Sequence, residues 1–65
     1  MNKELLEYRM KKAGKTISDM CSVLGISRSA YYRKCNGISE FTLSEIRIIV
    51  AYLELESPVE IFFTR

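Results

Sequence analysis

The sequence predicts an all-α fold of five short helices around one core. Apolar residues recur at helical spacing along the chain, and nothing alternates with period two for long enough to make a strand. A cap residue opens each periodic segment, at Asn2, Thr16, Ser27, Thr42 and Ser57. Gly14, Gly25 and Asn36-Gly37 supply the stops between the first four segments. No repeat, low-complexity run or linker interrupts the pattern, so residues 1–65 read as one domain.

Each element follows from these signals. Asn2 caps a first helix with Leu6, Met10 and Ala13 on one face, closed by Gly14. Thr16, with Asp19 three residues on, makes a capping-box pattern for a second helix whose inner face is Ile17, Met20, Cys21 and Leu24. Gly25, free to take positive φ, ends that helix and turns the chain sharply. Ser27 caps a third helix to about Cys35, with Ala30, Tyr31 and Lys34 or Cys35 inward, before Asn36-Gly37 breaks it. A loop over 38–41, anchored by Ile38 and Phe41, leads to the capping box Thr42-Leu-Ser-Glu45. The fourth helix then carries Ile46, Ile49, Val50 and Leu53 as its core stripe. Ser57-Pro-Val-Glu60 is another capping box, with Pro58 at the first helical position, opening a final turn or two with Ile61, Phe62 and Phe63. At least one of the two phenylalanines is expected to fold back on the core, because so small a domain buries only about 60% of its surface.

Composition narrows the function. With two cysteines, both on helix faces expected to be buried, reduced core thiols are expected rather than a disulfide framework. There is no histidine, and the two cysteines lack ligand spacing, so neither a metal nor a cofactor is expected. Catalysis has no basis: no phosphate-cradling glycine loop, no acid pair among buried partners, and no serine or cysteine beside a base. No apolar run approaches a membrane span, and Met1-Asn-Lys-Glu is not a signal peptide, which places the chain in the cytoplasm. The net charge of +2 is unevenly placed. Residues 1–37 hold eight Lys/Arg against three acids, a net +5, whereas residues 38–65 hold two against five, a net −3. A basic half coinciding with a short helix pair is the footprint of a face that binds a polyanion.

That pair spans about residues 16–35. Two short helices joined by a tight turn can place the second in a DNA major groove. Arg28 and Ser29 stand in the first turn of the helix over about 27–35, with Tyr32 and Arg33 one turn on, so all four project from one side. Arginine reads guanine O6 and N7 through a bidentate fork that lysine cannot copy. Tyr32 suits a thymine methyl or a phosphate. The alternative is ordinary solvated charge. The helix N-termini at Thr16-Ile17 and Ser27-Arg28 attract phosphate oxygens, with Lys15 and Asn36 adding contacts that position without reading sequence. Tyr31, Met10 and Met20 are assigned to the core.

Here the chain resembles the phage repressor and Cro-like helix-turn-helix family, particularly the small phage-type regulators of Gram-positive bacteria. The resemblance rests on Lys15-Thr16, the Leu24-Gly25-Ile26-Ser27 turn, Tyr32-Arg33-Lys34, Asn36-Gly37, Glu40-Phe41-Thr42-Leu43-Ser44-Glu45-Ile46 and Glu60-Ile-Phe-Phe63. It implies a compact lambda-repressor-like DNA-binding domain and places base reading on Arg28, Ser29 and Arg33, with Tyr32 beside them. It places cap and phosphate roles on Thr16, Ile17, Ser27 and Asn36. Two positions depart from the family. Ile17 stands where many members carry Gln, leaving only its backbone N–H. Met10 and Cys35 stand where many members pair Arg with Glu, so an apolar contact replaces an ion pair.

The expected function is sequence-specific regulation of transcription, repressor- or Cro-like, through a double-stranded DNA operator. A weak homodimer formed on DNA is the expected assembly, with no membrane or small-molecule substrate. If phage-encoded, the protein works in the host cytoplasm or nucleoid. The competing class is a protein-interaction module, antitoxin or antirepressor, kept open by Glu54, Glu56 and Glu60 in the acidic half.

Overall fold

Side-chain caps set where the helices begin. The computed structural model describes residues 1–63. In it α1 spans Lys3–Ala13, α2 Ile17–Leu24, α3 Arg28–Cys35, α4 Leu43–Tyr52 and α5 Val59–Phe62. No strand occurs among the described residues. Asn2 Oδ1 accepts from the Leu5 N–H at 3.0 Å, and Ser27 Oγ accepts from that of Ala30 at 3.1 Å. The box at Thr16 closes fully: its hydroxyl accepts from the Asp19 N–H at 3.1 Å while Asp19 Oδ2 accepts from the Thr16 N–H at 2.8 Å. Thr42 and Glu45 repeat this at 3.1 and 2.8 Å. Such a cap contributes about 1 kcal/mol. At α5 the start shifts by one residue, because Pro58 sits at the cap place rather than inside the helix. Ser57 Oγ still serves that end, accepting from the Val59 N–H at 3.2 Å.

The helices stop by a common device. Gly25 at φ +68 lets the Ile26 N–H reach back to Cys21 O at 3.1 Å, which ends α2 and swings the chain into α3. The same reach ends α4, from Leu55 N–H to Val50 O at 2.9 Å, but there the left-handed residue is Glu54 at φ +53. No glycine marks that stop in the sequence.

One core joins all five helices. Leu6 and Met10 of α1, Met20 and Cys21 of α2, Tyr31 and Cys35 of α3, Ile49 of α4 with Leu53 at its C-terminal cap, and Ile61 of α5 form one buried cluster. Ile46 is buried as well. α2 packs against both α3 and α4, and α1 packs against α5. The Asn2 N–H bonds Ile61 O at 2.6 Å, pinning the start of the chain to α5. Both cysteines are free and buried, as the composition predicts. An edge-to-face series of rings runs from Tyr31 to Phe41 at 6.1 Å and on to Phe62 at 5.6 Å. Phe62 is thus the phenylalanine that folds back, and Phe63 stays 59% exposed.

Three core expectations need correction. Ala13 is exposed: α1 ends there at the Gly14 turn, and Met10 is the last residue of the helix to reach the core. Val50 is half-buried, on the flank of the α4 stripe rather than at its centre. Ile38 does not anchor its loop: it is 74% exposed. Its backbone N–H bonds Arg33 O at 2.9 Å and already holds that turn, so the apolar anchor falls to Phe41 alone.

Candidate nucleic-acid interface

The second helix of the pair is held from behind. Tyr31 is 3% exposed, and its hydroxyl donates to Met10 Sδ on α1 at 3.3 Å. Burial pushes the Tyr31 phenol well above its ordinary value, with the neighbouring Cys35 adding to the shift, so it remains a neutral donor. Burial likewise raises the Cys35 thiol, which suits packing and not reactivity. Met10 and Cys35 lie in the same buried cluster, in keeping with an apolar junction at that place.

Lys34 fixes the far end of α3. Its Nζ lies 2.9 Å from Glu45 Oε1, with both side chains only about 15% exposed, and also donates to Glu40 O at 3.2 Å. Burial by itself would raise the Glu45 carboxyl. The Thr42 backbone N–H and the Lys34 ammonium outweigh it and hold Glu45 below the ordinary carboxylate range. One carboxylate therefore caps α4 and anchors α3 together. Lys34 is consequently removed from the basic surface.

The opposite face of α3 is open. Arg28, Ser29, Tyr32 and Arg33 are all exposed. Among the described residues none of the four makes a side-chain hydrogen bond or ion pair. Tyr32 rests edge-on against Tyr31, ring centroids 6.2 Å apart, while the residue as a whole stays 42% exposed.

The five residues expected at phosphates have different environments. Thr16 and Ser27 are exposed caps whose hydroxyls accept from the backbone and keep an O–H to donate. Ile17 is half-buried against the core, and its first-turn N–H has no acceptor inside α2. Asp19 is held below the ordinary carboxylate range, first by the Thr16 backbone N–H and then by its hydroxyl, so a carboxylate stays at this end. Asn36 closes α3 as an exposed cap. Lys15, beside Thr16 in the chain, carries its ammonium 4.6 Å over the Tyr52 ring of α4.

One neighbour of this surface is invisible to motif reading. Lys3, at the first turn of α1, donates from Nζ to Asn36 Oδ1 at 3.0 Å, across 33 residues of chain. With Ile17 and Tyr32 it lines one small crevice beside α3. The only sequence signal was the general basic excess of the first half.

No cluster of His, Cys, Asp and Glu among the described residues suits a metal. No helix among them is long and apolar enough to cross a membrane. Compared with known proteins, residues 5–61 match the family model described as Helix-turn-helix. No curated protein and no solved structure gives a match. The matched span runs from α1 through α5 and includes the capped pair with its open arginine face. The chain therefore belongs to the helix-turn-helix family, a family of DNA-binding transcription regulators.

Proposed function

We propose that this protein is a repressor- or Cro-like transcriptional regulator that reads a specific double-stranded DNA operator with α3. Arg28, Ser29, Tyr32 and Arg33 contact base edges in the major groove. Thr16, Ile17, Ser27 and Asn36 contact the flanking phosphates, and Lys15 joins them by leaving the Tyr52 ring. The observation that carries this reading is the contrast across one helix: four exposed side chains without internal polar partners stand on a helix locked from behind. Rigid support places each arginine fork without a large ordering cost, and each good base contact then contributes ~1–3 kcal/mol of discrimination.

One domain 26 Å across covers a single half-site. The regulator acts as a weak homodimer assembled on a partly palindromic operator, its recognition helices ~34 Å apart. It works in the cytoplasm or nucleoid, and residues 1–65 act as one unit.

Selection of bound sequences from a random duplex library tests this directly. Enrichment of a pseudo-palindrome with half-site centres ~10 base pairs apart is the expected result. No enrichment at low salt would transfer the fold to a protein-interaction role, and an asymmetric single site would remove the dimer.

A further inference from the structure

We infer that Lys3 belongs to the DNA interface, forming with Asn36 a phosphate-binding corner at the C-terminal end of α3. The inference rests on the DNA-binding reading above and deepens it. The Lys3–Asn36 bond at 3.0 Å joins the start of α1 to the residue that closes the recognition helix. Its polarity is chemically required, because an ammonium has no acceptor and only the amide oxygen of Asn36 can face it. With Oδ1 turned to Lys3, the Asn36 NH2 points away from it, and both residues are exposed.

The chemistry of the corner follows. The ammonium has three N–H donors and the amide two, and only one of these five is used in the bond between them. Among the described residues no carboxylate lies within ion-pair distance of Lys3, although Glu7, one turn further along α1, lines the same crevice. A ligand for this corner must be anionic, rich in acceptors and without obligatory donors. A backbone phosphate of the duplex meets all three demands, and Lys3 shares one crevice with Tyr32 and Ile17.

Lys34 shows why the assignment is not arbitrary. By sequence it is the natural cation for this end of α3, yet it is bound to Glu45 at 2.9 Å and 15% exposed. Lys3 supplies from another helix an exposed ammonium, outside any direct ion pair, where Lys34 does not. A purely structural role remains distinguishable, since a cation beside a helix C-terminus also favours the helix.

The experiment measures binding to a mixed-sequence 30-base-pair duplex across ~50–200 mM salt, where contacts to phosphates dominate and no operator is needed. Wild type, Lys3→Gln and Lys3→Arg are compared, with thermal melts of each. Lys3→Gln should lower the salt slope by about 0.9, so its affinity deficit narrows about threefold between the two ends of that range. Lys3→Arg should restore the slope. A Lys3→Gln variant with wild-type slope would overturn the inference, whether its affinity is unchanged or reduced, because a structural tie releases no counterion. Failure of wild type itself to bind the duplex at ~50 mM salt would instead overturn the DNA-binding reading on which the corner depends.

Discussion

Tyr31 and Tyr32 are neighbours in the chain, yet one is 3% exposed and the other 42%. Lys34 and Arg33 form a second such pair, one tied to Glu45 and the other without a polar side-chain partner among the described residues. The two faces of α3 thus have different chemistry within eight residues. The inner face fixes position through burial, a thioether hydrogen bond and a shielded ion pair. The outer face keeps its donors exposed, without polar side-chain partners among the described residues. An exposed arginine contributes little to a small domain's stability, whereas a buried tyrosine contributes much, so the two faces should separate cleanly under mutation.

The largest expected effect is on the inner face. Tyr31→Ala should cost ~3–5 kcal/mol in urea unfolding, enough to unfold much of the population, while Tyr32→Ala should stay within ~0.5 kcal/mol. Equal losses would erase the distinction between the faces. Lys34→Ala comes next, at about 2 kcal/mol, because it leaves a poorly solvated Glu45 without its cation. Arg33→Ala and Arg28→Ala should leave the unfolding curve in place and lower specific DNA affinity by ~1–3 kcal/mol each. If either arginine variant melts early, that side chain supports the fold and not recognition.

The ion pair behind α3 also makes a pH prediction. Glu45 is held below its ordinary value in the folded state, so its contribution is complete above the unfolded-state carboxylate pKa. It is lost as pH falls through the lower folded value, when the unfolded chain takes up the proton more readily. Acid titration by circular dichroism should therefore show a destabilising limb below about pH 4.5 that is reduced in Glu45→Gln. DNA contacts from the outer face should show no matching step.

The smallest expected effects concern the left-handed residues that end α2 and α4. Gly25→Ala should cost ~1 kcal/mol, entirely from the left-handed backbone, since an added Cβ at Gly25 meets no atom within 4 Å. Glu54→Gly should gain a similar ~1 kcal/mol at the end of α4, where a side chain now occupies φ +53. Both are read from melting temperature, and neither should alter the salt slope of DNA binding.

What was legible in the sequence was local. Helix starts were visible because a cap hydroxyl or carboxylate bonds an N–H two or three residues away, as at Thr16, Ser27 and Thr42. The core stripe was visible because helical spacing puts Leu6 beside Met10 and Ile49 beside Leu53. The outward side of α3 followed from the same periodicity. The end of α4 was not visible, since Glu54 adopts a conformation that its residue type does not announce.

Tertiary structure decided which charges remain available. Charge counting placed Lys34, Lys15 and Lys3 together in a basic half of the chain. Folding ties the first to Glu45, sets the second over Tyr52 and brings the third to Asn36. The partners lie 11, 37 and 33 residues away, so no local pattern encodes them. The sequence by itself determined five helices, the first four with their side-chain caps, and an arginine-bearing outer face, because both depend on spacing within a turn or two. Which cations are left for a polyanion depends on where distant helices meet, and only the packed core determines that.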